Sequence, residues 1–502
     1  MSHDGHMTSE QFRLIGRRMV DAVADYWDRV GNLPVQPPTT PGEVFASLPE
    51  FPPATGQDWD SILRDVEHLV IPNLTHWQHP RFFGYFPANA SFPAILGELL
   101  AAGLGVQGML WATSPACTEI EMRVLDWLGS LIGLPDSFLF RGGVGGGVIQ
   151  GTASDAVLTA IVAARARTLA AHPDVDPSRL VIYASEQAHS SVLKAALIAG
   201  VARSIDDREH VRLLPTDAGY AMRPDTLERA LQADLDAGRL PCLVCATLGT
   251  TGSGAFDPLA AIAEAIAWAA PDAADRPWLH VDTAHAGAAC VCPEFRPMLE
   301  GVAQADSFCF NPHKWLLTNF DCDAFWVRSR DDLTRAMSIT PEYLRNPATD
   351  SGRVVDYRDW HTPLGRRFRA LKLWFVLRHY GADGLRAHIR EGVRLAALFE
   401  ELLRTDARFE QATPRSLNLV CFRPRPRLHD TPAVADARTR ALMDRLNADG
   451  RMFLTHTLLP PADGGCPDAR LVLRLCVGAT TTREPDIREA FALIRTVLNS
   501  LD

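Results

Sequence analysis

FCFNPHKWLLTNFDCDAFWV, residues 308–327, sets one lysine between two short, strongly apolar runs. SFCFN and AFWVR have the length and composition of buried strands, so Lys314 falls just past the end of the first. A charged ammonium in such surroundings is costly unless it is paired or loses its proton. On one reading the stem packs inward and the head snorkels to water. On the other, a desolvated lysine has a lowered pKa and serves as an amine nucleophile, as in Schiff-base chemistry.

Runs of the same kind recur upstream: LVIYAS, VRLLP, CLVCATLG and WLHVD. DPLAAIAEAIAWAA, lying between two of them, reads as a helix with an acidic start. Strand–helix alternation with doubly apolar strands predicts a mostly parallel α/β sheet, whose ligands gather at the carboxyl ends of the strands. Residues 10–31 have helical periodicity and are followed by the proline-rich stretches LPVQPPTTPGE and LPEFPPATG, better suited to wrapping over a neighbour than to forming a core. Three regions follow: an N-terminal helical and extended segment (1–91), a large α/β domain (92–371) and a small C-terminal α+β domain (372–502). The last carries LNLVCFRP and ARLVLRLCVG.

The 502 residues are 47% hydrophobic and 22% charged, with net charge −10 and a pI near 5.9. That balance argues against nucleic acid or an anionic membrane as the main partner. No stretch is long and apolar enough to span a bilayer, and the polar N-terminus lacks a signal-peptide core, so a cytoplasmic location is expected. Ten cysteines in a chain this long are no disulfide framework. Cys242 and Cys245 form a CxxC inside an apolar run, with no second pair at zinc spacing, and read as structural thiols. No metal site is expected.

Other chemistry-bearing residues cluster near strand ends. Asp282 closes WLHVD and precedes the small residues TAHAGAA, which leave room for a flat ligand; a helix-capping aspartate is the plainer alternative. RGGVGGGVIQGTASDAVL (141–158) runs into a helix at Ala153–Ser154–Asp155, where backbone amides and hydroxyls make an anion site. It has neither the GK[ST] of a P-loop nor GxGxxG, so nucleotide binding is poorly supported. His189, in QAHSS, follows LVIYAS; it reads either as structural or as part of the site. Anion site, buried lysine, strand-end carboxylate and histidine fit one cofactor, pyridoxal 5′-phosphate, which needs phosphate donors, an amine and an acid at its ring nitrogen.

At this point the chain resembles the group II pyridoxal-phosphate decarboxylases, and within them the aromatic-L-amino-acid decarboxylases. The resemblance rests on THWQHPRFFGYFP (75–87), SPACTEIE (114–121), GGGVIQGTAS (145–154), QAHSS (187–191) and TLGTTGSGAFD (247–257). It continues with HVDTAHAG (280–287), NPHKW (311–315), FDCDAFWV (320–327) and PLGRRFRALKLWF (363–375). It implies the aspartate-aminotransferase-like type I fold: a homodimer with shared active sites whose N-terminal segment wraps the partner.

By the same resemblance, Lys314 is the Schiff-base lysine, and Ala153, Ser154, Asn311 and His313 hold the phosphate. Asp282 pairs with the ring nitrogen, Ala284 and His189 cover the two ring faces, and Thr251 lies near the phenolic oxygen. Trp77, Tyr85, Phe86, Ala88, Met109 and Gly365 form the substrate wall, Met109 reaching in from the second subunit. His189 fixes the substrate carboxylate, and Tyr343, in ITPEYLRN, supplies the proton that completes decarboxylation; related aldehyde synthases typically carry phenylalanine there. The expected reaction is decarboxylation of an aromatic L-amino acid (tryptophan, phenylalanine, tyrosine or DOPA) to its amine.

An oxygen-consuming aldehyde synthase, another group II decarboxylase and a non-catalytic cofactor-binding regulator are the alternatives. Departures from the family pattern are Ala88, where threonine is frequent, His285, where tyrosine is common, and Gln107, where an apolar residue is usual. Gly365 matches the version that leaves room for an indole.

Overall fold

The structure is a computed structural model that describes residues 6–339, 341, 344–461 and 468–501. Helix α1 (Ser9–Arg29) begins at a Thr8–Gln11 capping box and buries none of its own side chains. Helix α2 (Phe92–Leu104) starts at a Ser91 cap and is apolar apart from Glu98, which pairs with Lys372. Between them the chain runs extended past Phe82 and Phe83, with the Phe83 N–H on the Phe453 carbonyl and the Phe83 carbonyl accepting from Cys476.

The large domain is a sheet of β1 (Gly146–Gln150), β2 (Leu180–Ser185), β3 (Val211–Leu214), β4 (Leu240–Thr247), β5 (Trp278–Asp282), β6 (Ser307–Phe310) and β7 (Asp323–Val327). Their order is β1-β7-β6-β5-β4-β2-β3. Pairings from β3 through β6 are parallel, while β7 is antiparallel to both β6 and β1. β2, β4, β5 and β6 are buried along their whole length, which is why their sequences are mostly apolar in continuous runs rather than at alternate positions. Helix α3 (Ala153–Ala171) covers one face, packing with Ile182, Cys245 and Phe325. Helix α4 (Leu259–Ala269) covers the other, with Val244, Leu279 and Val281.

The glycine run read from the sequence as a turn contains an edge strand, β1. A Cβ on Gly146 would sit 2.7 Å from the Phe140 ring, and one on Gly147 would sit 2.8 Å from Trp326. Glycine is used here because aromatic rings lie directly on the backbone.

A four-stranded antiparallel sheet, β10 (Thr455–Leu459), β11 (Arg470–Cys476), β9 (Leu419–Pro424) and β8 (Phe409–Gln411) in that order, forms the small domain. The boundary expected at residue 372 falls within the helix α5 (Arg369–Arg404), kinked at Gly381. Along α5 the buried side chains pass from the large core, ending at Ile389, to the small one, starting at Leu395. Cys242 and Cys245 are fully buried in β4, and burial pushes the Cys242 thiol up to about 12. Among the described residues no helix is long and apolar enough to cross a membrane.

Candidate active site

A cavity of about 260 Å³ opens at the carboxyl ends of β2, β4, β5 and β6. The reversal of β7 creates it: the chain leaves β6, makes the short helical turn Pro312–Trp315 and comes back, placing Lys314 over the sheet end. The backbone there is pinned, with the Lys314 N–H on the Asn311 carbonyl and the Lys314 carbonyl accepting from Asn89. The Lys314 amine lies 5.5 Å from the centre of the Phe86 ring. Burial lowers its pKa, with the Asp282 and Asp323 carboxylates acting in the opposite sense.

Asp282 ends β5, is 4% exposed, and takes the Ala284 N–H on Oδ1 at 2.9 Å. His189 follows β2. Its Nδ1 accepts from the Ser191 backbone N–H at 3.1 Å, so in the neutral ring the proton sits on Nε2. Burial lowers its pKa, Asp282 counteracts that, and Lys314 adds to it.

A nest of donors gathers at the start of α3. Thr152 caps that helix through a reciprocal box with Asp155, and the Ala153 N–H is held by Asn311 Oδ1 at 3.1 Å. That bond orients the Asn311 amide so that its NH₂ faces away from Ala153. His313 Nδ1 accepts from the Cys322 N–H at 2.9 Å, again leaving Nε2 as the donor; burial, then Lys314, hold its pKa near 3, so it is a neutral donor. Ser154 and Ser191 complete this end.

Ala153, Ser154, His189, Thr251, Asp282, Ala284, Asn311, His313, Lys314 and Phe86 all line the cavity. Of the remaining wall residues, Trp77 and Tyr85 stack on each other at 5.5 Å and are largely exposed. The Ala88 carbonyl accepts from Gln78, and the Met109 carbonyl accepts from Arg358. Gly365 is exposed beside Gln107, whose side-chain oxygen takes the Arg366 N–H. None of these five is among the cavity-lining residues of the single chain. Tyr343 lies outside the described residues.

Thr152, Ser191, Thr247, Gly249, His285 and Phe320 also line the cavity and were not singled out as site residues from sequence. All six lie inside motifs quoted above, and Thr152 is the cap of the helix predicted there. His285, noted only as a departure, stacks on Phe86 at 4.0 Å. Arg474 also lies over the Phe86 ring, 5.2 Å from its centre.

The donor set fits pyridoxal 5′-phosphate. An amine and a carboxylate face one flat space; backbone and side-chain donors crowd a helix start at its edge; and the buried Thr247 hydroxyl on its wall has no hydrogen-bond partner among the described residues. A type I fold with this site defines a pyridoxal-phosphate-dependent enzyme.

Comparison narrows the class. The pyridoxal-dependent decarboxylase conserved domain matches residues 41–425. The chain is 45% identical to phenylacetaldehyde synthase from Arabidopsis thaliana, over 97% of this chain and 96% of that protein. It is 44% identical to tryptophan decarboxylase 2 from Oryza sativa subsp. japonica, over 97% and 95%. The crystal structure of Oryza sativa TDC with PLP and tryptamine superposes with a TM-score of 0.92 at 41% identity, over 99% of both chains. The chain belongs to the pyridoxal-dependent decarboxylase family, and it is a carboxy-lyase with pyridoxal 5′-phosphate as cofactor.

Proposed function

We propose that this enzyme decarboxylates an aromatic L-amino acid to the corresponding arylalkylamine and CO₂. The carrying observation is a cavity with Lys314 and Asp282 in its lining and an aromatic wall, Phe86, over the amine. When bound, the cofactor supplies an aldehyde for the substrate's amine and a cationic ring that accepts the electrons released with CO₂. Ala153, Ser154, Asn311 and His313 would hold its phosphate, Asp282 would keep a proton on its ring nitrogen, and Ala284, His189 and Thr251 would line the space for its ring. Lys314, whose pKa burial lowers, would supply the amine that holds the cofactor's aldehyde. The Nε2–H of His189 would bind and orient the substrate carboxylate. Tyr343 delivers the final proton to the substrate carbon, and water is kept out while it does so.

A second reading, the oxygen-consuming aldehyde synthase, draws on the similarity to a phenylacetaldehyde synthase. Tyr343 favours the amine-forming route, because a phenol can return a proton where phenylalanine cannot.

The working unit is a homodimer. Helix α1 buries nothing of its own, and Phe12, Met19 and Val20 form with Phe92, Leu96 and Leu99 of α2 an apolar groove too large for a solvent-facing surface. Met109 and Gly365, apart from the chain's own cavity, are then positioned to complete the partner's. A reducing, cytoplasmic setting agrees with nine free, buried thiols among the described residues. Kinetics on tryptophan, phenylalanine, tyrosine and DOPA, scored by amine formed, test the function; turnover of glutamate with none of the four would refute it. Ala88 has no hydroxyl for a catechol, so tryptophan or phenylalanine should be used at least as well as DOPA.

A further inference from the structure

His285 lies three residues past Asp282, sandwiched between two rings nearly parallel to its own. Phe86 is 4.0 Å away at 11°, and Trp315 is 4.9 Å away at 15°. The edge of the imidazole is anchored as well. Asn418 Nδ2 donates to the Val477 carbonyl at 2.7 Å, which turns its Oδ1 toward His285. The imidazole Nε2 therefore carries the proton and donates to that oxygen at 2.7 Å. Asn418 also takes the Val477 N–H on its backbone carbonyl at 2.9 Å, so the acceptor is built into the seam between β9 and β11.

This geometry leaves His285 no chemistry of its own. Its faces are covered, Nε2 is engaged, and Nδ1 is buried with no hydrogen-bond partner among the described residues. What it does control is Phe86. A phenyl ring has no polar handle, so its plane is decided by what it stacks on. We propose that His285 is a positioning residue for the substrate's aromatic side chain. Anchored to the small domain through Asn418, it holds Phe86 as the fixed plane on which that side chain packs.

The inference rests on the aromatic-substrate reading. Because the side chain is remote from the bond that breaks, its wall contacts are the same in ground and transition states, so loosening the wall acts on KM and leaves kcat.

The test uses cofactor-loaded enzyme. His285→Phe keeps a flat ring but removes the donor; it should raise KM for phenylalanine and tryptophan about tenfold, with kcat within about threefold. The visible cofactor band should be unchanged. His285→Gln, which keeps a donor near the Nε2 position without the ring, should give a KM between those of wild type and His285→Leu. An unchanged KM in both His285→Phe and His285→Leu overturns the proposal. So does a fall in kcat and cofactor content at constant KM, which marks a role in holding the cofactor. Wild-type enzyme that keeps its cofactor band but releases no CO₂ from aromatic amino acids refutes the functional reading itself, and this inference with it.

Discussion

Lys314 is where sequence and structure speak most directly to each other. An isolated lysine in an apolar run read as either a snorkelling side chain or a nucleophile, and the geometry puts its amine over an aromatic ring inside a cavity. Lys314→Ala should cut CO₂ release on the order of a thousandfold or more; activity near wild type would remove it from the mechanism. Asp282→Asn keeps the shape but not the charge, so kcat should fall about a hundredfold, roughly 2.7 kcal/mol of barrier, with cofactor still bound. If the Asp282→Asn variant were as fast as wild type, another group would have to hold the ring proton. Residues adjoining a strand end in one motif were legible one by one. Phe86's surroundings were not, because His285 and Arg474 reach it from far along the chain, and Asn418 reaches His285 from 133 residues away.

Elements were legible where burial dictates composition. β2, β4, β5, β6 and β7 are predominantly apolar because both sheet faces are covered, and each was expected where it lies. β1 was hidden because its glycines answer to the rings packed on them rather than to strand propensity. That makes Gly147 sensitive. Gly147→Ala places a Cβ 2.8 Å from the buried Trp326 ring and 3.1 Å from Leu125, so it should destabilise the fold by about 1–3 kcal/mol. Urea unfolding measures this; a midpoint equal to wild type would mean the edge strand yields at no cost. The passage from one core to the next along α5 is hard to read for a related reason: one amphipathic helix serves two cores, and periodicity alone does not mark where the core changes.

At the scale of the whole molecule, buried histidines set the acid limit. Burial lowers His79 and His280 to about 4 and His285, His313 and His361 to about 3. Below pH 6.5 the unfolded chain takes up protons that these rings refuse, so stability falls with pH until the folded values are reached. At pH 5 each ring costs up to about 2 kcal/mol. Asp257, raised to about 7 by burial, acts in the opposite sense, as do Asp323 and Asp359, but they are outnumbered by the lowered histidines, His388 at about 4 among them. The urea midpoint at fixed protein concentration should therefore drop steadily from pH 6.5 to 5; a flat or rising midpoint would show that the rings titrate normally.

The most direct test of the central claim is product stoichiometry. Cofactor-loaded enzyme is incubated with L-tryptophan or L-phenylalanine in air, and CO₂, amine, aldehyde and hydrogen peroxide are all measured. Amine equal to CO₂ with negligible peroxide is the expected result. Tyr343→Phe should keep releasing CO₂ while its product shifts to aldehyde, ammonia and peroxide. Aldehyde and peroxide equal to CO₂ in the wild-type enzyme, or no CO₂ from either amino acid, would contradict the account.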